Sequence, residues 1–125
     1  MHFASEQRGD VRIWRETDGT VRANVPHLRH HSPAGFECGY SGSGPADLAL
    51  SILGAFVPVG IGGPSESLSG GQRCSRFAWQ YHQEFKFEFI ATLPSLGGVL
   101  SAAVIRAWIA ARVVDVTEET RKIFK

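Results

Sequence analysis

Between Val11 and Val25 the apolar residues Val11, Ile13, Val21, Ala23 and Val25 fall on alternate positions, interrupted by Thr17, Asp18 and Gly19. This is the period of a β-hairpin with one buried face. A two-residue loop at Asp18 and Gly19 would set Glu16 against Val21 and Ile13 against Asn24, mixing polar and apolar residues on both faces. A three-residue loop, Thr17 to Gly19, instead pairs Val11 with Val25, Ile13 with Ala23 and Arg15 with Val21, and uses Gly19 where a left-handed residue belongs. Arg12, Trp14, Arg22 and Asn24 then share the other face, with Trp14 opposite Arg22 and within reach of a cation–π contact. A tryptophan between arginines is a candidate partner surface; the alternative is that a later helix covers it. Pro26 ends the second strand, since it has no N–H for the ladder.

The pattern changes at HSPAGFECGYSGSGPADLALSIL, His31 to Leu53, where a glycine-rich loop runs into an apolar segment. Pro45 suits the first position of a helix, with Gly44 or Ser43 as its cap, and the helix runs to Phe56. Ala46, Leu48, Ala49, Leu50, Ile52, Leu53 and Phe56 cover almost its whole circumference, leaving Asp47, Ser51 and Gly54 as a narrow strip. Such a helix is central, and burying its leucines and isoleucine contributes on the order of 6–12 kcal/mol before entropy is subtracted.

Residues 57–75 carry so many glycines, prolines and serines that they read as a long loop, tacked down at Ile61 and Leu68. From Arg76 to Thr92, Phe85, Phe87 and Phe89 alternate as in a strand, whereas Ala78, Tyr81, Phe85 and Phe89 recur at helical steps; length without a turn signal favours helix. Ser101 caps a third helix, Leu100 staples onto Ile105, and Val104, Ile105, Trp108, Ile109 and Arg112 form its stripe. A short C-terminal strand is expected at Val113–Val116, followed by a helical turn whose early glutamates and late basic residues match the helix dipole. The expected fold class is α+β, a single domain over residues 1–125 with the hairpin packed on three main helices and the Pro45–Phe56 helix central.

Composition narrows the function classes. The chain has 125 residues, 43% apolar and 20% charged, with a formal net charge of +1, which argues against a general nucleic-acid binder. Its apolar runs fall short of the ~18 residues a membrane span needs, and the first residues lack a signal-peptide pattern, so a cytoplasmic location is expected. Cys38 and Cys74 read as free thiols. Basic residues nonetheless concentrate early, at Arg8, Arg12, Arg15, Arg22 and Arg29, with His27, His30 and His31 behind them.

Those histidines with Cys38 invite a zinc reading, but no paired CxxC or HxxxH spacing is present and no metal is expected. Gly39, Tyr40, Gly42, Ser43 and Gly44 precede a helix N-terminus, the geometry that holds an anion or nucleotide. The spacing fits neither GxGxxG nor GxxxxGK[ST], no phosphate-reaching lysine follows, and Asp47 in the first turn would repel an anion. No GxSxG elbow accompanies Ser32, Ser41 or Ser43, Cys38 lacks signs of activation, and Glu66, Glu84 and Glu88 read as surface residues, so an enzyme is not expected.

The stretch from His31 to Leu50 closely resembles an uncharacterised family of small domains from bacteria, archaea and their phages, with the core pattern HSPxGFxWGYxGSGPAxLAL; the resemblance extends loosely to Phe85–Pro94 and Trp108. Cys38 stands where that pattern has an aromatic residue, which argues that the position fills space. The resemblance implies a phage or mobile-element setting, in which small domains bind and block larger host machines. The expected function is therefore a non-catalytic protein-binding domain without a cofactor, an inhibitor of a host defence complex such as a CRISPR effector, acting through Arg12, Trp14, Arg15, Arg22, His27, His30 and His31. The alternative is a small-ligand module holding a nucleotide or other anion at Gly39–Gly44.

Overall fold

The computed structural model describes residues 4–5, 8–61 and 64–123, with side chains described as far as Val113. Strands β1 (Val11–Arg15) and β2 (Val21–Ala23) form the hairpin, followed by helix α1 (Ser43–Phe56), a two-stranded ribbon of β3 (Glu66–Ser67) and β4 (Arg73–Cys74), helix α2 (Arg76–Phe85) continuing as a π-helical turn (Lys86–Ile90), strand β5 (Gly97–Leu100) and helix α3 (Ala102–Ile123). The class is α+β, as expected.

The hairpin has the register that the apolar pattern demands, Ile13 with Ala23 and Arg15 with Val21, and Gly19 takes a positive φ in the three-residue loop. The expected Val11–Val25 pair does not form, although both residues are buried. The Asn24 side chain accepts from the Arg12 N–H and donates to the Asp10 carbonyl, taking over bonds that a continuing ladder would have used. Val11 pairs instead with Leu100, because β5 joins the other edge of β1 and gives the order β2–β1–β5. The apolar pattern of the sequence predicts no strand at these residues. Gly97 makes the close approach possible: its φ is +99°, and a Cβ there would lie 2.1 Å from the Ile13 carbonyl oxygen.

Helix α1 begins two residues before the expected start, with Gly42 rather than Ser43 or Gly44 at its cap. Pro45 lies deeper in the first turn, where its missing N–H still removes no helical hydrogen bond. Every residue from Gly44 to Leu53 is buried, so α1 is the central element. The expected loop over 57–75 is partly ordered by the β3–β4 ribbon. Phe85 to Phe89 is helical, as length favoured, with the π turn beginning at Lys86. Ser101 accepts from the Val104 N–H at the start of α3. Ile105, Trp108 and Ile109 are buried, whereas Val104, expected in the stripe, is exposed. The expected strand at Val113–Val116 is instead part of α3; no glycine or proline interrupts the helix that Ala102 starts.

Candidate functional site

Cross-strand pairing places Trp14 opposite Arg22 on one side and Gly97 on the other, and Arg12 opposite Val99. Directly opposed residues share a face, so Arg12, Trp14, Arg22 and Val99 lie together on the outer face of the sheet. Trp14 is 40% exposed and Val99 61%; among the described residues no helix covers the indole, and the bare glycine opposite leaves that side open. The expected cation–π contact is replaced by a charge cluster at the hairpin end, where Glu16 accepts from the Trp14 indole N–H at 3.1 Å and pairs with Arg22 at 3.2 Å.

Arg15 does not belong to this face. Its guanidinium forms a fork with Glu37 at 2.8 and 3.2 Å and also donates to the Ser95 and Gly19 carbonyls. It thereby ties the hairpin turn to the glycine loop and to the approach to β5. This charge-assisted pairing holds the Glu37 carboxyl below its usual range.

The glycine loop is braced from within. Gly39 has a positive φ and donates its N–H to Ile90 O. Gly42 lies under the Tyr40 ring, and Gly44 packs so closely on the Glu37 side chain that a Cβ would lie 2.8 Å from it. Tyr40 and Ser43 are exposed. A cavity of about 450 Å³ beside Ser43 and Gly44 is lined by Asp18 and Glu37 as well, so two carboxylates stand where an anion would enter.

The three histidines part company. His27 packs on Phe36 with tilted rings, centroids 3.9 Å apart, and its Nε2 is buried without a hydrogen-bond partner among the described residues. His30 and His31 lie on a segment clamped to α1 by the strip Asp47, Ser51 and Gly54. Asp47 is fully buried, and its carboxylate accepts from three successive backbone N–H groups, His30, His31 and Ser32, at 2.8–3.2 Å. Ser51 accepts from Leu28 N–H and donates to Leu28 O, while a Cβ at Gly54 would collide with the Leu28 side chain. The backbone donors that converge here hold an anion that the chain itself supplies. The polar strip of the central helix is a docking track, and Asp47 lies beyond the first turn in which it was expected.

Beyond the clamp, His31 Nε2 lies 2.8 Å from His82 Nε2, and His82 Nδ1 lies 2.7 Å from the Trp79 carbonyl oxygen. That carbonyl only accepts, so neutral His82 carries its proton on Nδ1 and accepts at Nε2 from His31. Burial pushes both imidazoles below their ordinary value, with Asp47 partly opposing this at His31. His30 accepts the Ser69 N–H at Nδ1 and meets Trp79 edge-on, anchoring the ribbon turn. Lys86 is buried one turn beyond His82, with its ammonium over the Phe87 ring.

Sequence spacing gave no signal for His82 as the partner of His31 or for Trp79 as the partner of His30, because α2 meets the clamp only in three dimensions. Among the described residues, no three His, Cys, Asp or Glu side chains are grouped to hold a metal ion. Burial raises both thiols, that of Cys74 to about 11. Glu66, Glu84 and Glu88 each meet an arginine, and no helix among the described residues is long and apolar enough to cross a membrane.

Residues 3–59 match the model of a family of unknown function, DUF6166. That span holds the hairpin, the clamped segment and all of α1. No curated protein and no solved structure matches the chain.

Proposed function

We propose that this chain is a non-catalytic protein-binding domain that docks through the outer face of β2–β1–β5. The observation that carries the reading is Trp14, left open between Arg12 and Arg22 with Val99 beside it. Large aromatics and arginines are the side chains that anchor protein interfaces, and a rigid strand presents them without an ordering cost. The raised thiols and the internal bonds of His30, His31 and His82 support a non-catalytic role, since none of these groups offers an activated nucleophile or a free base. Within this reading, blocking a host defence complex is the form the motif resemblance favours.

The alternative anion module draws less support, because Asp18 and Glu37 line the cavity at Ser43 and Gly44. Affinity capture followed by titration of the isolated partner tests the main reading. Trp14→Ala with Arg22→Ala is expected to weaken binding at least tenfold without lowering Tm appreciably; an unchanged Kd removes this face. Stabilisation by nucleotides in a thermal-shift screen would favour the anion module instead.

A further inference from the structure

Resting on the reading of the sheet as the binding surface, we infer that the partner contributes an extended, acidic segment that adds as a fourth strand beside β2. In the ladder, Glu16 donates to Thr20 O and Asn24 donates to Arg12 O. Hydrogen-bonded and non-bonded pairs alternate in an antiparallel ladder, so Arg22 faces β1 with its backbone groups while those of Val21 and Ala23 point away from it. β2 is one of the two edges of the sheet, and no described residue bonds to those outward groups.

A groove runs along this edge. About 320 Å³ of it lies between β2 and the Ala34–Phe36 loop, with Arg22, His27 and Arg29 among the lining residues. The cavity beside Tyr40 and Ser43 continues it, sharing Thr20, Val21 and the same loop, but is lined by Asp18 and Glu37, so the acidic residues of the added segment belong to the part lined by Arg22 and Arg29. Gly35, at φ +107° and without a side chain, keeps the wall opposite the strand low. Outward N–H and C=O groups at strand spacing, on residues that line a groove, select a polypeptide backbone.

Charge selects its side chains. The Arg29 guanidinium makes no hydrogen bond or ion pair among the described residues, and Arg22 has an exposed pair with Glu16 and lies within electrostatic reach of Asp18, exposed contacts that contribute little and can be exchanged. Acidic residues on the added strand complement both. A second copy of this chain fits badly: antiparallel pairing of two β2 edges about Arg22 would set arginine against arginine.

The test is selection of linear peptides from a displayed random library on the intact protein, then titration of the enriched peptide. Enrichment of Asp or Glu is expected, with slowed exchange of the Val21 and Ala23 amides in the complex and at least tenfold weaker binding to Arg22→Ala with Arg29→Ala. N-methylation of one alternate set of peptide amides should abolish binding, whereas methylation of the other set should not. Equal binding of both methylated forms overturns strand addition. If Trp14→Ala still weakens that peptide, the sheet face survives as the binding surface; if it does not, both readings fall. No enriched linear peptide, tighter binding of a single-stranded oligonucleotide, or a dimer in sedimentation that masks the same amides each overturns the inference.

Discussion

Asp47 shows how much one side chain can organise. A carboxylate removed from water is costly unless hydrogen bonds replace its hydration, and here three consecutive peptide N–H groups do so. Asp47→Ala would strand those donors in the interior, and a loss of about 3–5 kcal/mol in urea denaturation is expected. Asp47→Asn should be milder yet still clearly destabilising, because one end of an amide is a donor facing donors. The histidines make a second prediction at this scale. His27, His31 and His82 all titrate below their ordinary 6.5 in the folded chain, chiefly through burial. Asp47 opposes the shift at His27 and His31, while Arg29 at His27, His30 at His31 and His82, and Lys86 at His31 reinforce it. The unfolded chain therefore binds protons first as pH falls below 6.5, so stability is full above that value and declines beneath it. Tm is expected to drop between pH 7.5 and 5.5, and His82→Gln should flatten that slope. Loss of the Glu37 and Asp18 contributions belongs to a separate, more acidic window, since their folded values lie below 4.5 and 3.8.

At the scale of elements, the hairpin and the central helix were legible because each is specified by neighbours in sequence. Alternation and one turn glycine set the β1–β2 register, and a continuous apolar surface made α1 central. β5 was not legible. Its four residues, Gly97 to Leu100, hold two glycines and carry no alternation, and what makes them a strand is the exposed edge of β1 waiting for a partner. Gly97→Ala tests this dependence. Its Cβ would meet the Ile13 carbonyl at a backbone angle that L residues avoid, so a loss of at least about 2 kcal/mol is expected by chemical denaturation. The Val113–Val116 segment failed in the opposite sense: β-branched residues suggested a strand, but a helix already under way absorbed them.

For the whole molecule, a surface kept for binding should be dispensable for folding. Trp14→Ala with Arg22→Ala removes only exposed contacts, and its stability is expected within about 1 kcal/mol of the parent by thermal or urea unfolding. A larger loss would mean that the open face has a structural role. The same division separates what each level of description decides. From sequence alone came the α+β class, the hairpin register, the central helix and the arginine–tryptophan face, because periodicity and turn chemistry act over a few residues. Only tertiary structure decided that Arg15 serves Glu37, that Asp47 clamps the segment bearing His30 and His31, that His31 meets His82, and that a glycine strand leaves Trp14 open. Each of those depends on groups distant in the chain that come within bonding distance only when burial obliges polar atoms to find partners.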